Sequence, residues 1–284
     1  MYELIDFGDG RKLERFGPWL LDRPCPAADR PKNNRAAWQA ATARFVGRRA
    51  GEGRWNPAPD HWTTQELAWS APMPAAYPFT LQLAPLPSGQ IGVFPEQLAN
   101  WKWLARKVAA APKPLRVLNM FAYTGGSTLA AAAAGAEVTH VDAARSVVTR
   151  ARGNAAASNL ADRPIRWIVE DALLYCRREQ KRGKQYDAVI LDPPTFGRGP
   201  ADQSWSIERD LPRLLEVCGE LTRERRRFML ATCHTPSIGP AELSAYVSDA
   251  VIGHCGEPPA TDALTLQAAD ARTLPSGLYA RWPR

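Results

Sequence analysis

The run Val117-Leu118-Asn119-Met120-Phe121-Ala122-Tyr123-Thr124-Gly125-Gly126 decides the fold. Its first four residues read as a short buried strand, and the glycine pair lets the backbone turn tightly and open a helix. Downstream the alternation repeats. Strands are expected at 115–120, 137–141, 165–169, 186–191 and 226–232. Helices are expected at 126–134, 144–158, 172–181, 206–221 and 240–252. Strands near 261–268 and 277–282 close the pattern. Such alternation implies a doubly wound α/β sheet, mostly parallel with an antiparallel C-terminal strand.

Upstream the chain changes character. Seven of its ten Trp residues lie at or before Trp103. The stretch Ala109-Ala110-Ala111-Pro112-Lys113-Pro114 reads as a junction, because proline stops a helix and extends the residue before it. The reading is a small Trp-rich mixed or β domain over 1–104, a junction at 105–114 and an α/β domain over 115–284. In the front part Asp9-Gly10 predicts a hairpin between 2–7 and 11–16. A second hairpin is expected from 79–84 and 90–94, a helix over 35–49, and another from 95 to about 108. The Trp residues read as packing rather than as base-stacking platforms.

Composition sets outer limits. The 284 residues are 45% hydrophobic and 23% charged, as in a soluble globular protein. No apolar stretch is long enough to cross a bilayer, and the start has neither the basic nor the apolar part of a signal peptide. A cytoplasmic enzyme with no membrane partner is expected. Five widely spaced cysteines, Cys25, Cys176, Cys218, Cys233 and Cys255, form no CxxC pair, so neither a zinc site nor any other metal is expected. The net charge of +7 includes two basic clusters, Arg177 to Lys184 and Arg223 to Arg227. Such clusters can hold nucleic-acid phosphates, but both fall where a helix should end, which favours solvated helix ends.

Ligands of such sheets sit at the carboxyl ends of the strands, near the topological switch. The first loop lacks G-x-G-x-x-G, so a nicotinamide dinucleotide is not served. It suits a ligand without phosphate. Asp142 closes the second strand 17 residues past Gly125, where an acid accepts bonds from ribose hydroxyls. Glu170-Asp171-Ala172 follows the third strand, where an acid meets an adenine amino group. Asp192-Pro193-Pro194-Thr195-Phe196 follows the fourth, with the aspartate at the sheet edge.

These segments, with Asn154, resemble class I S-adenosylmethionine-dependent methyltransferases. They are most similar to the family that includes the large-subunit ribosomal RNA cytosine-5 methyltransferases. Gly92-Val93-Phe94-Pro95-Glu96-Gln97 also resembles a segment that this family places before its catalytic domain. The resemblance implies a Rossmann-like sheet with S-adenosyl-L-methionine as cofactor. It implies a pocket lined by Asn119, Phe121, Tyr123, Thr124, Gly125, Gly126, Asp142, Asp171, Asp192 and Pro193, with Gln97 closing one side. RNA, ribosomal by resemblance, is the implied partner.

Methylating an unactivated pyrimidine C5 needs a thiolate that adds to the ring, and such a cysteine should stand near the cleft rather than in the core. Cys233, in Leu230-Ala231-Thr232-Cys233-His234, holds the strand-end position where the family carries its nucleophile. The implied catalytic pair is Cys233 with Asp192, and His234 is placed to lower the thiol pKa. The chain departs from the family at Thr195, Thr232 and His234 and over its first 100 residues. An acceptor that is a small molecule or a protein, methylated without covalent catalysis, stays open, as does a non-catalytic binding module. The 272–277 stretch reads as a substrate loop or a simple turn, and 196–202 as a mobile loop beside the pocket.

Overall fold

The structure is a computed structural model that describes residues 2–47, 53–57, 68–199, 204–253 and 256–283. The chain divides into two compact units. Unit 1 holds residues 1–72, 80–98 and 265–276, and unit 2 holds 73–79, 99–264 and 277–284. Among the described residues no helix is long and apolar enough to cross a membrane.

Unit 1 is built on a five-stranded sheet in the order β1-β2-β3-β4-β5. Its strands are β1 (Tyr2–Gly8), β2 (Arg11–Phe16), β3 (Trp19–Pro24), β4 (Ala43–Val46) and β5 (Arg54–Asn56), with α1 (Arg35–Gln39) before β4. The first turn is the expected Asp-Gly hairpin: Asp9 and Gly10 both have positive φ, 52° and 71°, which matches the right-handed twist of the flanking strands.

Two expectations for this region need correction. The helix over 35–49 ends at Gln39. Residues 43–46 alternate buried and exposed and form a strand parallel to β3, where Arg44 Nε meets the buried Asp22 at 2.6 Å; residues 48–49 lie outside the described residues. The second hairpin is a turn without a ladder. Ala84 N–H donates to the Ile91 carbonyl and Leu86 N–H to that of Gln90, but Pro85 and Pro87 have no donor to extend the pairing. The strand there, β7 (Thr80–Gln82), pairs with β6 (Ala68–Ser70) instead.

Residues from the far end of the chain complete unit 1. Leu266, Ala268 and Leu274 share a core cluster with Leu4 and Phe7, and Ala269 N–H donates to the Leu4 carbonyl. Arg272 pairs with the buried Asp6, hydrogen-bonds the Phe7 carbonyl at 3.1 Å and lies 4.5 Å over the Phe7 ring. The 272–277 stretch is therefore neither a loop nor a turn: Arg272 is an internal clamp, and the residues from Thr273 onward are strand.

Unit 2 follows the expected alternation closely. After α2 (Leu98–Ala109) come β8 (Arg116–Met120), α3 (Gly126–Ala133), β9 (Glu137–Asp142), α4 (Arg145–Ala157), β10 (Ile165–Val169), α5 (Ala172–Lys181) and β11 (Ala188–Leu191). A small hairpin, β12 (Phe196–Arg198) with β13 (Ser204–Ser206), precedes α6 (Ile207–Thr222), β14 (Phe228–Cys233), α7 (Pro240–Val247), β15 (Ala260–Gln267) and β16 (Thr273–Trp282). The sheet order is β10-β9-β8-β11-β14-β16-β15. Its first five strands are parallel, and β16 runs antiparallel to β14. The strand order reverses between β8 and β11.

β8, β11 and β14 are buried almost throughout, as parallel strands covered on both faces must be. Leu118, Met120, Val189, Leu191, Met229 and Ala231 point toward α5, α6 and α7 in one core cluster. The alternate residues face α2 and α3: Phe228 packs edge-on to Trp103, and Asn119 bonds Thr128.

Arg272→Ala leaves the Asp6 carboxylate, 1% exposed, without its cation. Urea unfolding should show a loss of roughly 2–4 kcal/mol; a loss under 1 kcal/mol would mean that the clamp contributes little.

Candidate active site

The parallel register brings the strand ends into line. Met120 pairs with Val141 on one side and Leu191 on the other, Val169 with Asp142, and Leu191 with Ala231. With strands ~4.8 Å apart, the residues after β8, β9 and β11 share one edge of the sheet.

The loop after β8 is held in an uncommon conformation. Phe121 and Tyr123 have φ of 53° and 48°, and Gly125 has 93°. A non-glycine residue in the left-handed region costs roughly 1–2 kcal/mol, so two in three residues must be held by bonds. Tyr123 N–H donates to Asp142 Oδ2 at 2.9 Å, and Ala144 N–H to Oδ1 of the same carboxylate at 3.0 Å. Ala122 N–H donates to the Val141 carbonyl, and Asn154 Nδ2 to the Thr124 carbonyl at 2.9 Å. Burial raises the Asp142 carboxyl above its ordinary value, against the Ala144 and Tyr123 amides that pull it down.

The two glycines have separate reasons. Gly125 caps α3 in the left-handed region, and a Cβ there would lie 3.2 Å from the Ala151 Cβ. A Cβ on Gly126 would lie 2.4 Å from Trp101 Cζ2, so the indole of α2 takes the space of a side chain. Beneath the loop, Asn119 Nδ2 donates to Thr128 Oγ1 at 2.8 Å, which contacts His140 Nδ1 at 2.9 Å. Burial, aided by the Arg152 charge, lowers the His140 pKa to about 3, so the imidazole is neutral.

The exit from β11 is also tied down. Asp192 Oδ1 accepts from Thr232 Oγ1 at 2.5 Å and lies 3.3 Å from His234 Nε2. Trp205 Nε1 donates to the Pro194 carbonyl at 2.7 Å, and Thr195 and Thr235 hydroxyls meet at 2.8 Å. The Trp205 ring packs 4.8 Å from Phe121, so the first loop and the Asp-Pro-Pro exit are coupled. The expected 196–202 loop is in part strand β12, paired with β13, and 200–202 lie outside the described residues. Phe196 stands 75% exposed.

Of the expected site residues, Phe121, Tyr123, Thr124, Gly125, Gly126, Asp142, Asp192 and Pro193 fall on this edge or in its loops. Asn119 is buried inside β8, under the loop. Asp171 caps α5, accepting from Leu174 N–H at 2.9 Å. Gln97 belongs to unit 1 and is buried in a 3-10 turn, Pro95–Gln97.

Cys233 departs from its expected setting. It is 1% exposed, part of the core, and burial with the Asp192 charge raises its pKa above the ordinary thiol value, against hydrogen bonds from Thr235. His234 turns to Asp192 rather than to the thiol, and it packs on Gly277, where a Cβ would lie 2.5 Å from its Nδ1. Cys255 lies outside the described residues. Residues that sequence reasoning left out of the site are Thr128, His140, Trp205 and Thr232. The available signal was a polar side chain where strand periodicity demands an apolar one, at His140 and Thr232.

The loop and strand ends present carboxylates, aromatic rings and backbone, with no Lys or Arg among them. That donor set fits a nucleoside carrying a cationic centre and does not fit a pyrophosphate. A family model for S-adenosylmethionine-dependent methyltransferases matches residues 59–252. The Ribosomal RNA large subunit methyltransferase K/L of Shewanella oneidensis is 34% identical over 138 residues, 45% of this chain and 19% of that protein. Its counterpart in Aeromonas hydrophila is 32% identical over 145 residues, 47% of this chain and 20% of that protein. The matched part of the chain thus spans about a fifth of these relatives. The crystal structure of the SAM-dependent methyltransferase from Agrobacterium tumefaciens is 34% identical with a TM-score of 0.87, covering 99% of this chain and 89% of that one.

Gly126→Ala should cost roughly 1–3 kcal/mol by overpacking against Trp101, read by urea unfolding; a neutral result would mean that the indole moves freely. The His140 shift gives a pH signature. The unfolded chain takes up a proton near pH 6.5 that the folded chain refuses until about 3. The stability from neutral His140 is therefore complete above pH 6.5 and is lost as the pH falls toward 3. His140→Gln should flatten that part of the curve of Tm against pH.

Proposed function

The chain belongs to the S-adenosylmethionine-dependent methyltransferases, and from that premise we propose that it methylates a base of RNA by direct transfer, without a covalent enzyme–base adduct. When bound, S-adenosylmethionine supplies an electrophilic methyl group on a sulfonium sulfur. The residues suited to hold it are Phe121, Tyr123, Thr124 and Gly125 in the strained loop, Gly126 at the helix start, and Asp142 for the ribose hydroxyls. Asp171 is suited to the adenine and Asp192 with Pro193 to the acceptor side. The left-handed loop is held by bonds from within the protein, to Asp142, the Val141 carbonyl and Asn154, which lowers the cost of ordering it on binding.

The observation that carries the RNA reading is Phe196. It is the most exposed large apolar side chain of the described residues. It stands four positions beyond Asp192, on a hairpin whose base is bonded through Trp205 and Thr195. A bare aromatic ring on a bonded hairpin, four residues past an acceptor carboxylate in the chain, suits stacking of an unpaired base. The names of the curated relatives agree in kind. Asp192, with one third of its side chain exposed, is suited to accept a hydrogen bond from that base, and His234, 3.3 Å from it, to take up the proton released as the methyl leaves the sulfonium sulfur.

Direct transfer follows from Cys233. Adding to a pyrimidine ring requires an accessible thiolate, and this thiol is buried and held protonated. The favoured acceptor therefore has its own lone pair, such as a base nitrogen. Methylation at cytosine C5 through Cys233 is the second reading. It is favoured by the position of Cys233 at the end of β14, whose neighbour β11 leads into Asp192.

Radiolabelled methyl transfer to total RNA tests the substrate class. No label in RNA would move the acceptor to a small molecule or a protein. Cys233→Ala should keep kcat within about threefold and lose roughly 1 kcal/mol of stability from the small cavity. Complete loss of transfer in a folded variant would restore the covalent reading. Phe196→Ala should raise KM for RNA by about tenfold, as expected from ~1–3 kcal/mol per stacked base, with S-adenosylmethionine affinity unchanged.

A further inference from the structure

The opposite edge of the unit 2 sheet holds a second concavity. A cavity of about 570 Å³ opens beside the first residues of β8, β9 and β10 and the approach to β11. Its charged lining is Arg116, Arg163, Arg166, Lys184, Glu137 and Glu179. The charges do not balance within the cavity. Glu179 is already answered from inside, by Arg182 Nη1 at 3.0 Å and the Tyr186 hydroxyl at 2.8 Å, with Arg166 at 3.9 Å. Glu137, also in the lining, is exposed to solvent. Arg116, Arg163 and Lys184 have no carboxylate within 4 Å among the described residues. Arg116 lies 5.5 Å over the Tyr186 ring, on a floor made rigid by the buried Tyr186 and Glu179.

Three other basic side chains of the two clusters are spent on structure. Arg225 pairs with the buried Asp187 at 2.9 Å, and Arg226 bonds the Gly219 carbonyl and Thr222 at the end of α6. Arg178 pairs with Glu170 at 2.5 Å. Of the two basic clusters in the sequence, the one after β10 thus sends Lys184 into the cavity, while in the one before β14 Arg225 and Arg226 are held by internal partners and Arg223 and Arg227 are exposed. Cations gathered unpaired in a concave pocket raise the local positive potential and attract anions.

We infer that this cavity binds phosphate groups of the RNA backbone, remote from the base being methylated. The inference rests on the RNA reading above. Guanidinium forks match phosphate oxygens in geometry, and backbone contacts of this kind set register without reading sequence. The two edges are separated by the length of β9, six residues or roughly 17–20 Å. A nucleic acid is long enough to occupy both edges, and a small acceptor is not.

The test uses the full chain and a fluorescein-labelled RNA oligonucleotide, with anisotropy read over a series of KCl concentrations. Arg163→Glu with Lys184→Glu should lower the slope of log affinity against log salt by about 1–2, and raise KM for RNA. S-adenosylmethionine binding and kcat at saturating RNA should hold. Arg213→Glu, a charge reversal on α6 outside the cavity, should do much less; the milder Arg163→Gln should fall between. An unchanged slope, or an equal change in Arg213→Glu, overturns the site. Methyl transfer is read separately. A chain that methylates RNA normally while the cavity variants keep the slope loses only this inference. One that binds RNA through these residues but methylates no RNA keeps the site and loses the methylation reading. Failure of the unaltered chain to bind RNA overturns both.

Discussion

The carboxylate of Asp142 holds the active edge together. It takes the Tyr123 amide with one oxygen and the Ala144 amide with the other, so a single side chain fixes the loop after β8 and starts the helix after β9. Without it, the left-handed residues Phe121 and Tyr123 would relax toward ordinary backbone, and the turn into Gly125 would open. The parallel register sets where that carboxylate stands, because Asp142 is the last paired residue of β9.

Support comes from below and from the side. Neutral His140, Thr128 and Asn119 form a buried polar chain between the sheet and α3, and Asn154 ties the loop to α4. Trp205 joins the loop to the Asp-Pro-Pro exit through its contact with Phe121 and its bond to Pro194. These groups touch no reacting atom in the proposed chemistry. They hold the groups that would, which is the usual division of labour in a precise site.

Charge is divided between the two edges of the same sheet. The carboxyl edge collects acids and aromatic rings, suited to a nucleoside with a cationic sulfur. The amino edge collects unpaired arginines and a lysine, suited to phosphates. An enzyme that methylates RNA, as proposed for this chain, needs both kinds of surface, since S-adenosylmethionine carries no phosphate and an RNA backbone carries one per nucleotide.

Much of this was legible in the sequence. The strand–helix alternation, the glycine loop and the acids at strand ends are local patterns, because strand burial and tight turns are decided by neighbouring residues. Unit 1 was less legible: β4 is short, its partner β3 is distant in sequence, and residues 265–276 complete its core from the far end of the chain. The basic clusters, too, looked alike until structure separated paired arginines from unpaired ones. The limit is clearest at Cys233. Its place after a strand was evident, but whether a strand-end side chain enters the cleft or the core depends on what packs around it. Sequence alone determined the order of the elements and the chemistry available at each strand end. Only the tertiary structure decided which of those groups stay exposed, which are neutralised by partners and which are buried, because burial and pairing arise between residues far apart in the chain.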